Sequence, residues 1–163
     1  MRLTSRARAW QATGVVLLPT AVLAAGPRRW VRRGKNTWCV AGGLLLALVG
    51  YPLGRAILGD KPIAPPQDGL SDDVLGLGLL ALTEELVWGR QVEPVLSVPL
   101  TAAMFAIKHP LIDGRWRRVL GLALFWLGLA LVRPRSPAAA AVAHVVANAS
   151  GVLLGHLIGV DQF

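Results

Sequence analysis

The chain has 163 residues, 54% of them hydrophobic, and 17 Lys and Arg against 9 Asp and Glu give it a net charge of +8. The apolar residues fall in long blocks rather than in the alternation of a half-buried surface element, so the blocks read as membrane spans and a soluble domain is not expected. Basic residues gather between the blocks, as in RGKNTW and GRWRRVL, which makes the charge a property of juxtamembrane loops and argues against a nucleic-acid partner.

In chain order the predicted helices cover residues 10–25, 38–58, 73–90, 99–112, 119–132 and 137–158. The fold class that follows is all-α: a polytopic integral membrane protein of about six transmembrane helices in a single domain over 1–163. The first block has the basic start, apolar centre and small-residue end of a secretory signal, with Ala24 or Ala25 as cleavage points. Because every later segment is also membrane-like, an uncleaved span bent at Pro19 is the preferred reading. Several blocks are shorter than the ~20 residues that cross a ~30 Å hydrocarbon core, so tilt or local thinning is required. Trp10, Trp30, Trp38 and Trp116 mark block edges, where indoles favour the headgroup region, while Trp126 is expected to be buried or lipid-facing. Cys39 has no partner for an intrachain disulfide and is expected to pack. The polar stretch DKPIAPPQDGLSDD is an irregular loop outside the bilayer. Basic residues divide evenly between the two sides, so positive-inside counting sets no orientation.

The chemistry concentrates in the third block, where Glu84 and Glu85 follow an apolar run. A charge near the middle of a span costs about 2.5 to 3.5 kcal/mol on insertion scales. The structural alternative is a helix that stops near Leu82, leaving both acids solvated at its end. Against it, Val87 and Trp88 carry the apolar character onward, and Gly78, Ala81, Glu85 and Gly89 form a stripe suited to close helix approach. If the turn to the next helix lies between Pro94 and Pro99, Glu84 and His109 are each ten residues from it, about 15 Å below one membrane face at ~1.5 Å per residue. Counting from Pro137 places His144 at ~10 Å and Asn148 at ~16 Å. His144 and Asn148 stand four apart on one helical face, which Ala140, Ala141, Gly151 and Gly155 continue. A polar pocket shared by three helices is the expectation. His156 is turned off that face and is expected only to bond a neighbouring helix.

Glu84 and Glu85, then FAIKH ending in His109 (FxxxH), then HVVAN from His144 to Asn148 (HxxxN), in that order, resemble the CAAX-processing and bacteriocin-processing (CPBP, or Abi) family of intramembrane proteases. The resemblance covers residues 73–158. It implies an all-helical membrane fold in which Glu84 activates water, His109 assists, and His144 with Asn148 stabilises the oxyanion. The family pattern places Arg four residues after the second Glu, where it pairs with that carboxylate. Here that position is Gly89, and Arg stands at Arg90, about 140° around an ideal helix from Glu85. A π-bulge near Gly89 would restore the pairing, and a proton-sharing Glu84–Glu85 pair would do without it.

The expected activity is hydrolysis of a peptide bond in a membrane-embedded or membrane-associated polypeptide, by a base and aimed oxyanion donors within the lipid bilayer. The rival mechanism is a divalent metal such as zinc held by Glu84, His109 and His144 with a water in the fourth place. Three other classes stay open: a non-catalytic, immunity-type membrane binder using the same pocket, a proton-coupled carrier, and haem ligation by the histidines. Fourteen Arg against three Lys, with abundant Ala, Gly and Leu, suggest a GC-rich bacterial genome and a bacterial cytoplasmic membrane, where prenylated substrates are not expected.

Overall fold

A computed structural model of the chain describes residues 34, 36–61 and 69–159. The predicted first span at 10–25, with its signal-like character, and most of the proline-rich loop lie outside the described residues. The regular structure that is described is all helical, without a strand among these residues.

Helix α1 spans Thr37–Ile57 and opens on Asn36, whose side chain accepts from the Cys39 N–H at 3.2 Å. It ends at Gly59, where φ is +62°, a conformation that favours glycine. Helix α2 spans Leu70–Glu84 and passes without a break into a π-helix, Glu85–Val92, and a short α3, Glu93–Leu96. Helix α4 spans Val98–Asp113 and stops at Gly114, again left-handed with φ +75°. A 3-10 turn, Trp116–Arg118, leads into α5, Val119–Val132, and α6 spans Pro137–Ile158 with Ser136 capping the Ala139 N–H.

The predicted blocks from 38 onward thus correspond to helices. The third block is longer than expected, because the helical run continues through Pro94 to Leu96. The reversal expected between Pro94 and Pro99 shrinks to Ser97 alone, at φ 81° and ψ 157°, a region nearly confined to glycine. Pro99 sits in the first turn of α4, where a missing N–H leaves no bond unmade, whereas Pro94 lies within the continuous helical run just after the π-helix.

Helices α1 and α6 are long and apolar enough to cross a membrane. Only 22% and 28% of their most apolar windows is buried inside the protein, so most of these side chains face outward. Trp38 and Trp116, at helix ends, are exposed, whereas Trp126 is fully buried.

Helix α5 is the centre of the packing: α1 and α4 lie against it and it touches α6, while α2 lies on α6. The α1–α5 contact is made backbone to backbone. A Cβ added to Gly54 would fall inside van der Waals distance of Gly121, and one added to Gly128 would do so against Ala47. Beyond the C-terminal end of α1, Asp60 accepts from Arg55 Nε at 2.7 Å and Arg115 Nη2 at 3.1 Å, and Arg117 bonds the Gly59 carbonyl at 2.7 Å. These bonds tie α1 to the loop that starts α5.

Because backbone cannot move aside as a side chain can, Gly54→Val and Gly128→Val should each cost about 1–3 kcal/mol or more, read as a lower unfolding midpoint in detergent. A Cβ at Gly42 meets no atom within 4 Å among the described residues, so Gly42→Ala should stay within about 0.5 kcal/mol of wild type.

Candidate active site

Glu84 closes α2 and Glu85 opens the π-helix, and both are buried, at 2% and 5% exposure. The reading that would leave them solvated at a helix end is therefore set aside for this fold. Each acid reaches a different set of partners.

Glu84 Oε1 accepts from the Lys108 ammonium of α4, a buried ion pair. Glu84 Oε2 lies 3.4 Å from His144 Nε2 of α6, and His109 Nε2 of α4 is 3.9 Å from Oε1. Glu85 takes a two-pronged contact from Arg133, just past the end of α5, with Nε at 2.8 Å from Oε2 and Nη2 at 3.0 Å from Oε1. His144 Nδ1 adds a contact at 3.1 Å to Glu85 Oε1. The same guanidinium reaches Glu93 Oε2 at 2.6 Å, and the indole N–H of Trp126 donates to that oxygen at 3.0 Å. The Trp126 ring lies under the guanidinium, 4.4 Å from Cζ.

The hydrogen bonds fix ring orientations. His109 Nδ1 is 2.8 Å from the Phe105 carbonyl, and a carbonyl can only accept, so Nδ1 carries hydrogen and Nε2 of the neutral ring faces Glu84 as an acceptor. His144 Nδ1 faces a carboxylate already held by Arg133, so it too is a donor. Its other nitrogen lies 3.4 Å from Glu84 Oε2, so this imidazole stands between the two acids. Three carboxylates gather around two cations, the Lys108 ammonium and the Arg133 guanidinium. Aromatic edges hold the imidazoles: Phe125 is 4.9 Å from the His144 ring and Phe105 is 4.9 Å from the His109 ring, centroid to centroid.

Of the residues singled out from sequence, Glu84, Glu85, His109 and His144 come together. Asn148 is drawn aside, its Nδ2 donating to the Leu77 carbonyl of α2 at 3.2 Å. Counting depth puts Asn148 level with Glu84, but His144 is the residue that meets Glu84, and Asn148 meets Leu77 two turns earlier on α2. His156 bonds Asp73 of α2 at 2.9 Å, the neighbour-helix contact expected of it.

The wide helical turn anticipated near Gly89 is present, yet it does not bring Arg90 to Glu85. Arg90 is exposed, and Glu85 is held by Arg133 from another helix. Gly89 is where this exchange is accommodated, since a Cβ there would stand 2.5 Å from Arg133 Nε. Without a side chain at 89, the helix admits the guanidinium of Arg133 from just past the end of α5. With both acids paired to cations, a proton shared between Glu84 and Glu85 is not needed.

The zinc site considered from sequence does not fit these residues. Among the described residues no three His, Cys, Asp or Glu side chains are grouped to hold a metal ion, and the Lys108 ammonium sits on Glu84 Oε1, the oxygen facing His109.

Sequence reasoning missed Lys108, Arg133 and Glu93. Lys108 had a signal, a cation within an apolar block beside a candidate histidine. Arg133 and Glu93 had none beyond their place at segment ends. Compared with known proteins, the chain matches no protein-family model, no curated protein and no solved structure.

Removing one partner of a buried ion pair strands the other. Arg133→Met should cost about 3–5 kcal/mol in detergent unfolding, and adding Glu85→Leu with Glu93→Leu should recover most of it. Arg90→Met should cost about 1 kcal/mol or less.

Proposed function

We propose that this chain is an integral membrane protein of about six helices, counting a first span at 10–25. We further propose that it hydrolyses a peptide bond of a membrane-associated polypeptide, in the manner of the CPBP family it resembles. A bacterial cytoplasmic membrane is the proposed location, and the bilayer and the polypeptide substrate are the proposed partners. The membrane reading is supported by the outward apolar faces of α1 and α6, with Leu45, Leu53, Val142 and Leu157 among the exposed side chains. In water such faces would be an aggregation liability, and in lipid they are the required surface.

The observation that carries the hydrolase reading is the meeting of Glu84, His109 and His144, from three helical segments, in one buried cluster. The 3.9 Å between His109 Nε2 and Glu84 Oε1 is too long for a direct hydrogen bond, and the attacking water of this reading bridges the two atoms. Glu84 takes a proton from that water as it attacks the substrate carbonyl, and His109, with a bare Nε2, assists the transfer. The proton then passes to the leaving amine. Glu85 stays clamped by Arg133 and orients His144 through Nδ1. His109 is the most exposed of the cluster, its side chain at 22%, and marks the side by which a substrate approaches.

A second reading, a non-catalytic membrane binder of the immunity type, is favoured by the ion pair that covers one oxygen of Glu84 and by the engagement of Asn148 with Leu77. The two readings part on one comparison. Membranes carrying wild type or Glu84→Gln are compared by mass spectrometry for a polypeptide that accumulates uncut. The hydrolase reading expects at least one such species with Glu84→Gln and again with His109→Ala. A phenotype retained by Glu84→Gln, with no uncut species, supports the binder.

A further inference from the structure

The resemblance assigns the oxyanion to His144 and Asn148, and in this chain both are engaged elsewhere. His144 turns Nδ1 to Glu85 at 3.1 Å and Nε2 to Glu84 at 3.4 Å. Asn148 Nδ2 is bonded to the Leu77 carbonyl. Asn148 keeps a second N–H, but the bond to Leu77 draws its amide to α2, a helical turn along α6 from His144 and the glutamates.

Lys108 is differently placed. Its side chain is buried, at 7% exposure, and among the described residues its hydrogen-bond partner is Glu84 alone. An ammonium has three N–H donors. Beyond Glu84 the nitrogen is faced by aromatic rings, 4.5 Å from the Phe105 centroid and 5.4 Å from that of Trp88. Ring faces attract the cation while leaving it able to donate to a stronger acceptor. The Trp88 ring beside it is 2% exposed, and its indole N–H is buried without a hydrogen-bond partner among the described residues.

We propose that Lys108 is the oxyanion-stabilising catalytic residue of this site, a role that rests on the hydrolase reading above. The substrate group it takes is the carbonyl of the scissile amide. As water forms its bond to the carbonyl carbon and gives a proton to Glu84, the π electron pair moves onto the carbonyl oxygen, which Lys108 receives at its free N–H. The pair then returns, the C–N bond breaks, and the amine leaves with the proton from Glu84. Amide and water become carboxylic acid and amine, with no other reactant. The ammonium thus has two duties in sequence: counter-ion to Glu84 at rest and partner of the oxyanion during the reaction. A fixed charge in a water-poor site is well suited to that, because it needs no reorganisation as charge develops.

The test uses full-length protein in lipid vesicles and, as probe, the polypeptide whose uncut form accumulates in Glu84→Gln membranes. Lys108→Gln should lower kcat about 100- to 1000-fold, the usual loss for one oxyanion donor, with KM within threefold. Lys108→Arg keeps a charge facing Glu84 but shifts the donors, so kcat should fall about 10- to 100-fold with the unfolding midpoint unchanged. Asn148→Ala should stay within tenfold of wild type. The assignment fails if Lys108→Gln folds and cleaves within tenfold of wild type, if Lys108→Arg equals wild type as a mere counter-ion would, or if Asn148→Ala loses 100-fold. A polypeptide that needs Glu84 but not Lys108 removes this assignment alone. Membranes in which Glu84→Gln changes nothing remove the hydrolase reading and the assignment with it.

Discussion

Three carboxylates in ten residues of one helical run, Glu84, Glu85 and Glu93, all point into a bundle that offers them almost no water. Ions taken from water cost several kcal/mol each unless they are paired and hydrogen-bonded, and that constraint organises the rest. Their own run offers no inward cation. The counter-charges therefore come from other helices, Lys108 from α4 and Arg133 from the end of α5, with the His144 imidazole of α6 beside them. Apolar packing alone would allow these helices to slide or rotate against each other, since one oily face resembles another. The ion pairs do not, because each has one geometry in which no charge is stranded. Arg133 is the most connected of them, bonding two carboxylates while resting on the Trp126 ring.

Much of the architecture is legible in the sequence, because helices from residue 37 onward follow blocks of apolar residues bounded by Gly, Pro and charge. The meeting of Glu84 with His109 follows from simple counting: two antiparallel helices joined by a short turn bring residues equidistant from that turn to the same level. Counting served α6 less well. Its start at Pro137 is reached through a different loop, so the count from there is about one turn out, and His144 rather than Asn148 meets Glu84. The counter-ions were the least legible. Arg133 sits among loop residues with Arg135, where a basic residue is ordinarily solvated, and nothing linear says that its side chain turns inward. Lys108 was read as a spacer in FAIKH, although a cation in an apolar block is itself a demand for a partner.

Gly89 shows how a local absence and a distant presence can be one feature. A π-helix widens the backbone from Glu85 to Val92, and within it the missing Cβ leaves a recess that the Arg133 guanidinium fills. Any side chain at 89 would displace that cation from Glu85 and Glu93 together. In sequence Gly89 leaves no cation one turn beyond Glu85, and in the fold that cation comes from Arg133, just past the end of α5. Side-chain motifs report which residue types follow each other along a chain, whereas the electrostatics of a buried cluster depends only on which charges meet.

Ser97 makes the reversal between the segment that bears the glutamates and α4 a single residue long, so the acid of Glu84 and the imidazole of His109 are mounted on the two arms of a stiff hairpin. With so little slack at the bend, neither arm can swivel about its own axis without dragging the other. The polar clasps holding α6 to these arms, His144 on the glutamates, Asn148 on Leu77 and His156 on Asp73, are side-chain contacts with no covalent tether beside them. Because α6 also packs directly on α2, these contacts key its rotation against the glutamate-bearing run rather than carry the whole attachment.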